Sequence, residues 1–573
     1  MASVVASAEA LYLSGRGAEA EAMLRRHVQR TARDYRAAFC LGNILLQTGR
    51  YEQAEFVLRG ALRQNEGASA YWQALGRALA ALKRAGEAGE CARRGVALAP
   101  ESADAHAALG EVMEATGAFA EAERAFERAI EIDPGHRLAH VHLADIALVM
   151  GHPEAAAARA ERTVAATAGD ANHFLQCATS AVFSLYAGDC AADEVHRRHV
   201  RVRDVLAKMP PPDPGALANT REPERALRVA FLSPDFIQHS CSYFVETLLD
   251  HLDRARMVPV ALFASHTSDH VTKRLRGKFA VWHDLATPTD TAVQAILRRE
   301  RIDVAVDLAG YTVSSIVWPL RARLAPVQVS WLGYPCATAI PAMDARLVDS
   351  LTDPVGADAV LGCAVAMERL VRVDPCFVCY RPPIGADDPG CPPVAPMPGL
   401  CADAPFTLGS FNLLGKLSVR AKDLWARVLR EVPRAKLMLK DAAFEHEEVR
   451  AYIRGEFAKR GVGAERLELL AKTKSRDEHL ALYARVDLAL DPFPYNGTTT
   501  TCEAMFMGVP VVALVGAPGL HHARVGLSLL SAVGLQGQCA ASEDALVSLV
   551  AGWERDRAGL AALRAGLRAR LLA

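Results

Sequence analysis

Leu41, Leu75, Leu109 and Leu143 stand 34 residues apart, and the residues that follow them are Gly42, Gly76, Gly110 and Ala144. Ala20, Ala54, Ala88, Ala122 and Ala156 keep the same interval. A fixed period of this length means one supersecondary unit used repeatedly, each copy burying its apolar face only against its neighbours. The small residues mark where two helices of a unit approach closely. Gly15, Gly49, Gly117 and Gly151, with Lys83 as the exception, mark the turn between those helices, and Pro100 and Pro134 interrupt the chain between units. Residues 1–165 are thereby constrained to an all-α solenoid of about four to five helical hairpins, the first degenerate.

This period and placement are the tetratricopeptide signature. Such an array offers a concave face to an extended peptide or a partner protein, or serves as a spacer. A helical pattern without the repeat continues to residue 208 and ends at Met209-Pro-Pro-Pro-Asp-Pro214, a stiff polar hinge. Residues 166–226 are therefore predicted to be a helical extension and linker.

From residue 227 the periodicity changes. Arg228–Ser233 reads as a buried strand followed by the loop Pro234–Ser242, and further strands are predicted at Val258–Phe263, Ile302–Leu308 and Val327–Leu332. Alternation of such strands with helices predicts a doubly wound parallel sheet over 227–374. Ligands in these sheets sit at the carboxyl ends of the strands, which is where His239 lies, although a lone loop histidine is also an ordinary surface residue. A Pro-rich seam at 375–405 precedes a second lobe, 406–573, with strands at Phe406–Asn412, Leu437–Lys440, Leu467–Leu470 and Val486–Leu490. Lys416 follows the first of these, beside a helix start, where an ammonium can pair with a diphosphate oxygen.

The most informative stretch of this lobe is Asp491–Leu514. Two prolines force an extended exit from the strand, Asn496-Gly497 turns the chain, and Thr498–Thr501 lie where a helix begins. A helix N-terminus so decorated is an anion site, or simply a capped polar first turn. Glu503, a turn further on, is placed to accept from a ribose. No dinucleotide-type glycine fingerprint accompanies it.

Bulk properties exclude other classes. The 573 residues are 51% hydrophobic, and 65 Lys plus Arg against 66 Asp plus Glu leave a net charge of −1, so no global field attracts nucleic acid or an acidic membrane. No apolar run has the length of a membrane span, and Met1–Glu9 lacks the basic and apolar regions of a signal peptide, so a cytoplasmic protein is expected. The 13 cysteines suggest reduced thiols. Cys376-x-x-Cys379 with Cys391 and Cys401 is a weak zinc pattern; no histidine accompanies it, the spacings are irregular, and no metal is expected.

Residues Tyr495–Val511 resemble the donor-site motif of the O-GlcNAc transferase and SPINDLY family of glycosyltransferases. Ser233–His239, Asp307–Thr312, Ala325–Pro335, Gly409–Lys416, Glu478–Leu480 and His521–Gly526 match further motifs of that family in the same order. The resemblance implies tetratricopeptide repeats followed by a two-lobed GT-B fold of Rossmann-like lobes, and inverting, metal-independent transfer of a sugar to Ser or Thr of an acceptor protein held by the repeats. It implies that His239 is the active-site histidine, whose standing as general base is open, and that Lys416 stabilises the leaving diphosphate. Thr499 and Thr500, with Asn496, Gly497 and Thr498 of the same turn, would hold phosphate oxygens, Glu503 the ribose and His479 the base. His521, Arg524 and Tyr311 would complete the nucleotide-sugar site. Departures from the family pattern at Leu413, Thr498, Asp303 (where the family has a histidine linked to catalysis) and Val313–Trp318 leave the donor open. UDP-GlcNAc is favoured, with GDP-fucose next and a CMP-nonulosonate as an alternative. A homodimer is also left open, as is a scaffold whose catalytic lobes have decayed.

Overall fold

A computed structural model of the chain describes residues 4–13, 16–31, 33–169, 173–210, 215–265, 267–285, 289–312, 315–357, 368–382, 384–386, 388, 390–400 and 404–573. Gly15, positions 211–214 of the expected hinge, Val313 and Ser314, and Cys401 lie outside the described residues. The chain divides into two units, Met1–Ala147 with Ala165–Ala168, and Leu148–Val164 with Gly169–Ala573.

The first unit is a succession of helical hairpins: Val4–Leu13 with Gly17–Arg30, Tyr35–Gln47 with Tyr51–Leu62, Ser69–Ala81 with Ala85–Leu98, and Ala103–Ala115 with Phe119–Ile132, then Arg137–Val149. The glycines of the repeat are there for packing. A Cβ on Gly42 would fall 2.6 Å from Leu58 Cδ2, and one on Gly110 would fall 2.6 Å from Phe126 Cε1. The turn positions have another reason: Gly49 and Gly117 adopt φ of +73° and +79°, and Lys83, in the same register, is held at +61°. The period also carries charge, since Arg50 pairs with Glu21 and Arg84 with Glu55, 34 residues on, each pair joining successive hairpins.

The second unit holds helices His173–Ser184 and Ala192–Leu206 and then two parallel sheets. In the first sheet β1 (Leu227–Ser233), β2 (Met257–Phe263), β3 (Val281–Asp284), β4 (Val304–Asp307), β5 (Val327–Ser330), β6 (Ala345–Val348) and β7 (Arg369–Arg372) are ordered 3-2-1-4-5-6-7. In the second, β8 (Phe406–Ser410), β9 (Ala435–Lys440), β10 (Leu467–Leu470), β11 (Leu488–Leu490), β12 (Val511–Leu514) and β13 (Cys539–Ala540) are ordered 10-9-8-11-12-13. Both orders reverse once, between β1 and β4 and between β8 and β11. A crevice opens at the carboxyl ends of strands at such a switch point. Phe231, Phe244, Phe263, Met438, Met505 and Phe506 belong to one continuous core around the two sheets. No helix among the described residues is long and apolar enough to cross a membrane.

One expectation is corrected here. Asp303 precedes β4, at the end opposite the crevice, and accepts from Arg225 Nη1 and Nη2 at 2.7 and 2.6 Å, from Asn219 Nδ2 at 2.7 Å and from the Arg228 N–H at 2.8 Å. It ties the segment entering β1 to β4 and has no part in a site.

Candidate active site

Loops at the carboxyl ends of both sheets surround a cavity of about 490 Å³. The loop after β1 contributes His239–Cys241 and the loop after β5 contributes Leu332 and Gly333. A Cβ on Gly333 would lie 1.8 Å from the Leu308 carbonyl oxygen, so only glycine lets the loop after β5 touch the loop after β4. From the second sheet come Asn412 and Lys416 after β8, Lys440 and Asp441 from β9, and Thr498–Thr500 after β11.

Lys416 closes the short turn Leu414–Lys416, which is pinned because Asp441 Oδ2 accepts the Leu414 N–H at 2.8 Å. Its ammonium donates to the Asn496 carbonyl at 2.8 Å and lies 4.1 Å from the Tyr495 ring centroid. Burial pushes the Lys416 pKa down, an effect that the nearby Asp491 opposes, and burial likewise pushes Asp491 up. A buried ammonium whose partners are a carbonyl, a π face and a carboxylate nearby gains from any anion that enters the cavity.

Asp491 shapes the turn opposite. Its Oδ1 accepts the Gly497 N–H at 2.6 Å, while Asn496 Nδ2 donates to Pro492 O at 2.9 Å and Asn496 Oδ1 accepts the Gly526 N–H at 3.1 Å. Asn496 and Gly497 therefore build the turn and are spent in doing so. What faces the cavity is the start of helix Thr499–Phe506, with Thr498 at its N-cap making no side-chain cap bond and Thr500 Oγ1 donating to Asn412 Oδ1 at 2.8 Å. The first N–H groups of a helix have no partner within it.

His239 is the N-cap of helix Ser240–His251, and its Nδ1 accepts the Cys241 N–H at 3.3 Å. A backbone N–H can only donate, so the neutral ring carries its proton on Nε2 and offers a donor there. Asp235, His239 and Cys241 hold ligand-type atoms within 4.8 Å of one another, but burial keeps the Cys241 thiol protonated and His239 Nδ1 is occupied, so the set is a poor cation site. Among the four cysteines of the zinc pattern, Cys376 Sγ instead lies 3.3 Å from Ser528 Oγ and Cys379 is exposed.

A second cavity, of about 870 Å³, shares Lys440 with the first and is lined by Tyr243, Arg274, Lys472, Lys474, Arg476 and His479 among others. Glu503 is buried beside it, accepting from Arg476 Nη2 on one oxygen and from His479 Nε2, at 3.1 Å, on the other. Both oxygens thus have partners, and a ribose contact would require an exchange. Burial, reinforced by Lys440 and Arg476, pushes His479 down to about 3. The ring is neutral, and with Nε2 donating to a carboxylate its Nδ1 is a lone-pair acceptor, buried and without a partner, as is the Arg476 Nε donor.

Three expected residues stand elsewhere. His521 Nδ1 is 2.6 Å from Asp353 Oδ2, and Arg524 donates to Leu351 O at 2.9 Å and Gly516 O at 2.8 Å; both join the loop before helix Val525–Ala532 to the loop after β6. Tyr311 is buried, donates to Thr338 O and stacks on Trp318 at 5.2 Å. Their motifs serve the frame of the site. Conversely, Lys440, Asp441, Asp491, Arg476 and Tyr186 were not foreseen. A charged residue at or just after the end of a buried strand is a signal that would have found the first three. Tyr186 has no such signal.

The family model described as glycosyl transferase family 41 matches residues 205–367 and 398–572, and tetratricopeptide models match 35–67 and 113–175. The Arabidopsis thaliana SPINDLY protein, which carries the name probable UDP-N-acetylglucosamine–peptide N-acetylglucosaminyltransferase, is 37% identical over 354 residues, 61% of this chain and 37% of its own length. Its Petunia hybrida counterpart is 36% identical over the same shares. The chain thus spans well under half the length of these plant relatives. A solved structure of Thermobaculum terrenum O-GlcNAc transferase is 29% identical with a TM-score of 0.75, covering 88% of this chain and 93% of that one.

Proposed function

Because the chain belongs to glycosyl transferase family 41, we propose that it is a protein O-glycosyltransferase that moves a sugar, GlcNAc in the first instance, from a nucleotide diphosphate donor to a Ser or Thr hydroxyl, with inversion. The acceptor is held along the concave face of the tetratricopeptide array. The observation that carries this reading is the meeting of the Lys416 ammonium, the amino end of helix Thr499–Phe506 and His239 around one cavity. The bond between the sugar anomeric carbon and the diphosphate breaks as the hydroxyl oxygen bonds to that carbon from the opposite face. Negative charge grows on the departing oxygen, where Lys416 and the helix N–H groups stabilise it, each such contact contributing about 3 kcal/mol. The cation at the leaving group is then a side chain, and no metal enters the reading. The acceptor hydroxyl's proton leaves as its oxygen bonds to carbon and passes to a phosphate oxygen of the donor or to water, while His239 Nε2–H donates to an oxygen at the reacting centre.

The nucleoside half of the donor lies past Lys440 in the larger cavity, where the unpartnered His479 Nδ1 acceptor and Arg476 Nε donor meet the edge of a base. Glu503 holds both of those side chains in place. The names of the plant relatives favour UDP-GlcNAc. The test is a thermal-shift panel with UDP, GDP and CMP, followed by transfer from the matching sugar conjugate, since a ligand at 100 times its Kd adds about 2.7 kcal/mol to the native state. A shift with UDP and transfer of GlcNAc support the reading. A shift with GDP or CMP alone reassigns the donor to a fucosyl or nonulosonyl nucleotide, and no shift with any of the three defeats it in favour of a binding scaffold.

A further inference from the structure

Tyr186 lies in a segment outside both stretches matched by the transferase family, in the turn after helix His173–Ser184, yet it lines the 490 Å³ cavity alongside Lys416 and His239. Its ring centroid is 4.7 Å from that of Tyr495, with the two planes tilted by 54°. Both rings are half-buried, and a tilted aromatic pair at this separation holds the orientation of each ring against the other. The other contacts of the Tyr495 ring are the Lys416 ammonium over one face and the edge of His522, 6.0 Å away.

The turn that carries Tyr186 is itself fixed to the lysine loop. Gly188 N–H donates to Glu154 Oε1 at 3.1 Å, and the same oxygen accepts the Val419 N–H at 2.9 Å. A Cβ on Gly188 would come within 2.9 Å of Ser418 Oγ, two residues beyond Lys416, so the two turns are packed directly together. Further along the same segment His199 Nε2 meets the Tyr334 hydroxyl at 2.7 Å, which ties it to the loop after β5.

We infer that Tyr186 is a positioning residue of the transfer site: it fixes the Tyr495 ring as the shelf on which the Lys416 ammonium is presented to the donor diphosphate. The helical segment 173–206 is then part of the catalytic machinery and not a spacer between repeats and lobes. The inference rests on reading the cavity as the nucleotide-sugar site.

Tyr186→Leu removes the ring and Tyr186→Phe restores it, so the pair separates positioning by the aromatic contact from any role of the hydroxyl. The variants Tyr186→Leu, Tyr186→Phe, Tyr495→Leu and the double variant Tyr186→Leu/Tyr495→Leu are compared with the wild-type chain for UDP affinity by calorimetry, for kcat and donor KM in the transfer assay, and for melting temperature. Tyr186→Leu is expected to lower kcat roughly two- to tenfold, the size of one aromatic pair, with donor KM close to wild type, and Tyr186→Phe is expected to restore it. The double variant is expected to lose no more than Tyr495→Leu alone, because Tyr186 acts through that ring. A Tyr186→Leu protein with wild-type kcat, a Tyr186→Phe protein that loses as much as Tyr186→Leu, or losses that multiply in the double variant, overturns the inference while leaving the proposed function standing. A wild-type chain that binds none of UDP, GDP and CMP overturns both.

Discussion

The Lys416 ammonium donates to the Asn496 carbonyl at 2.8 Å and lies 4.1 Å from the ring of Tyr495, the residue before it. Lysine and loop belong to adjacent strands, β8 and β11, at the point where the sheet order reverses. The charge therefore stands at the mouth of the helix Thr499–Phe506 before any donor arrives. Lys416→Met is expected to cut transfer by about 10²–10³-fold, the loss typical of one preorganised group at a developing oxyanion. Melting should be unchanged or slightly raised, because the variant removes a buried charge. Undiminished turnover would exclude Lys416 from the chemistry.

The same lysine sets a pH dependence. Burial lowers its pKa below the ordinary 10.5 in the free protein, with Asp491 opposing, and a bound diphosphate raises it again. Binding thus favours the protonated form. UDP affinity is expected to fall as pH rises through the free protein's value, and binding in that window should take up protons, seen as a calorimetric enthalpy that changes with buffer ionisation heat. An affinity flat from pH 7 to about 10, the ordinary lysine range, would contradict this.

His239 offers Nε2–H to the cavity because Nδ1 accepts the Cys241 N–H. If the ring works as a donor, His239→Gln, which retains an N–H, keeps more of kcat than His239→Ala, by roughly the tenfold that one charge-assisted hydrogen bond is worth. If it works as the base, both variants lose equally, and steady-state rates of the pair decide between the two roles.

Much of this was legible in the residues. The 34-residue spacing of Leu41 to Leu143 foretold paired helices, because small residues at a fixed interval have a single packing use, and Gly42 and Gly110 show it. The Thr498–Thr501 turn was legible because an Asn-Gly turn before a polar helix start is a local signal. Strands β3, β6 and β7 were not, being four residues long, with β3 and β7 partly exposed and no apolar run to mark any of them. Nor was the pairing of Glu503 with Arg476 and His479, which are 27 and 24 residues distant and brought together only by the sheet. His521, Arg524 and Tyr311 misled for a related reason. A motif near a site reads the same whether its side chains face the ligand or brace the loops around it.

Glu503→Gln tests that brace. Glu503 is 2% exposed and Arg476 26%, so the substitution leaves a largely buried guanidinium with a neutral partner. The expected cost is about 2 kcal/mol of stability, less than for a fully buried pair because Arg476 keeps some contact with water. Nucleotide affinity should fall as well, since His479 and Arg476 lose the group that orients them. Wild-type UDP affinity in a destabilised Glu503→Gln protein would confine the residue to folding.

Lys83 offers a test of the repeat itself. It occupies the turn position that Gly49 and Gly117 fill elsewhere, and it is held at φ +61°, a region that a side chain makes costly. Lys83→Gly removes that strain but gives the unfolded chain more freedom, so the net gain is expected to be about 0.5–1 kcal/mol in the stability of the array. Gly117→Ala, which places a Cβ in the same conformation, should lose about 1 kcal/mol by the same reasoning. Thermal melts of the two variants should therefore move in opposite directions from wild type. A fall in melting temperature for Lys83→Gly would mean that its side chain earns its place through a contact on the surface of the hairpin, and that the turn position is not under conformational strain.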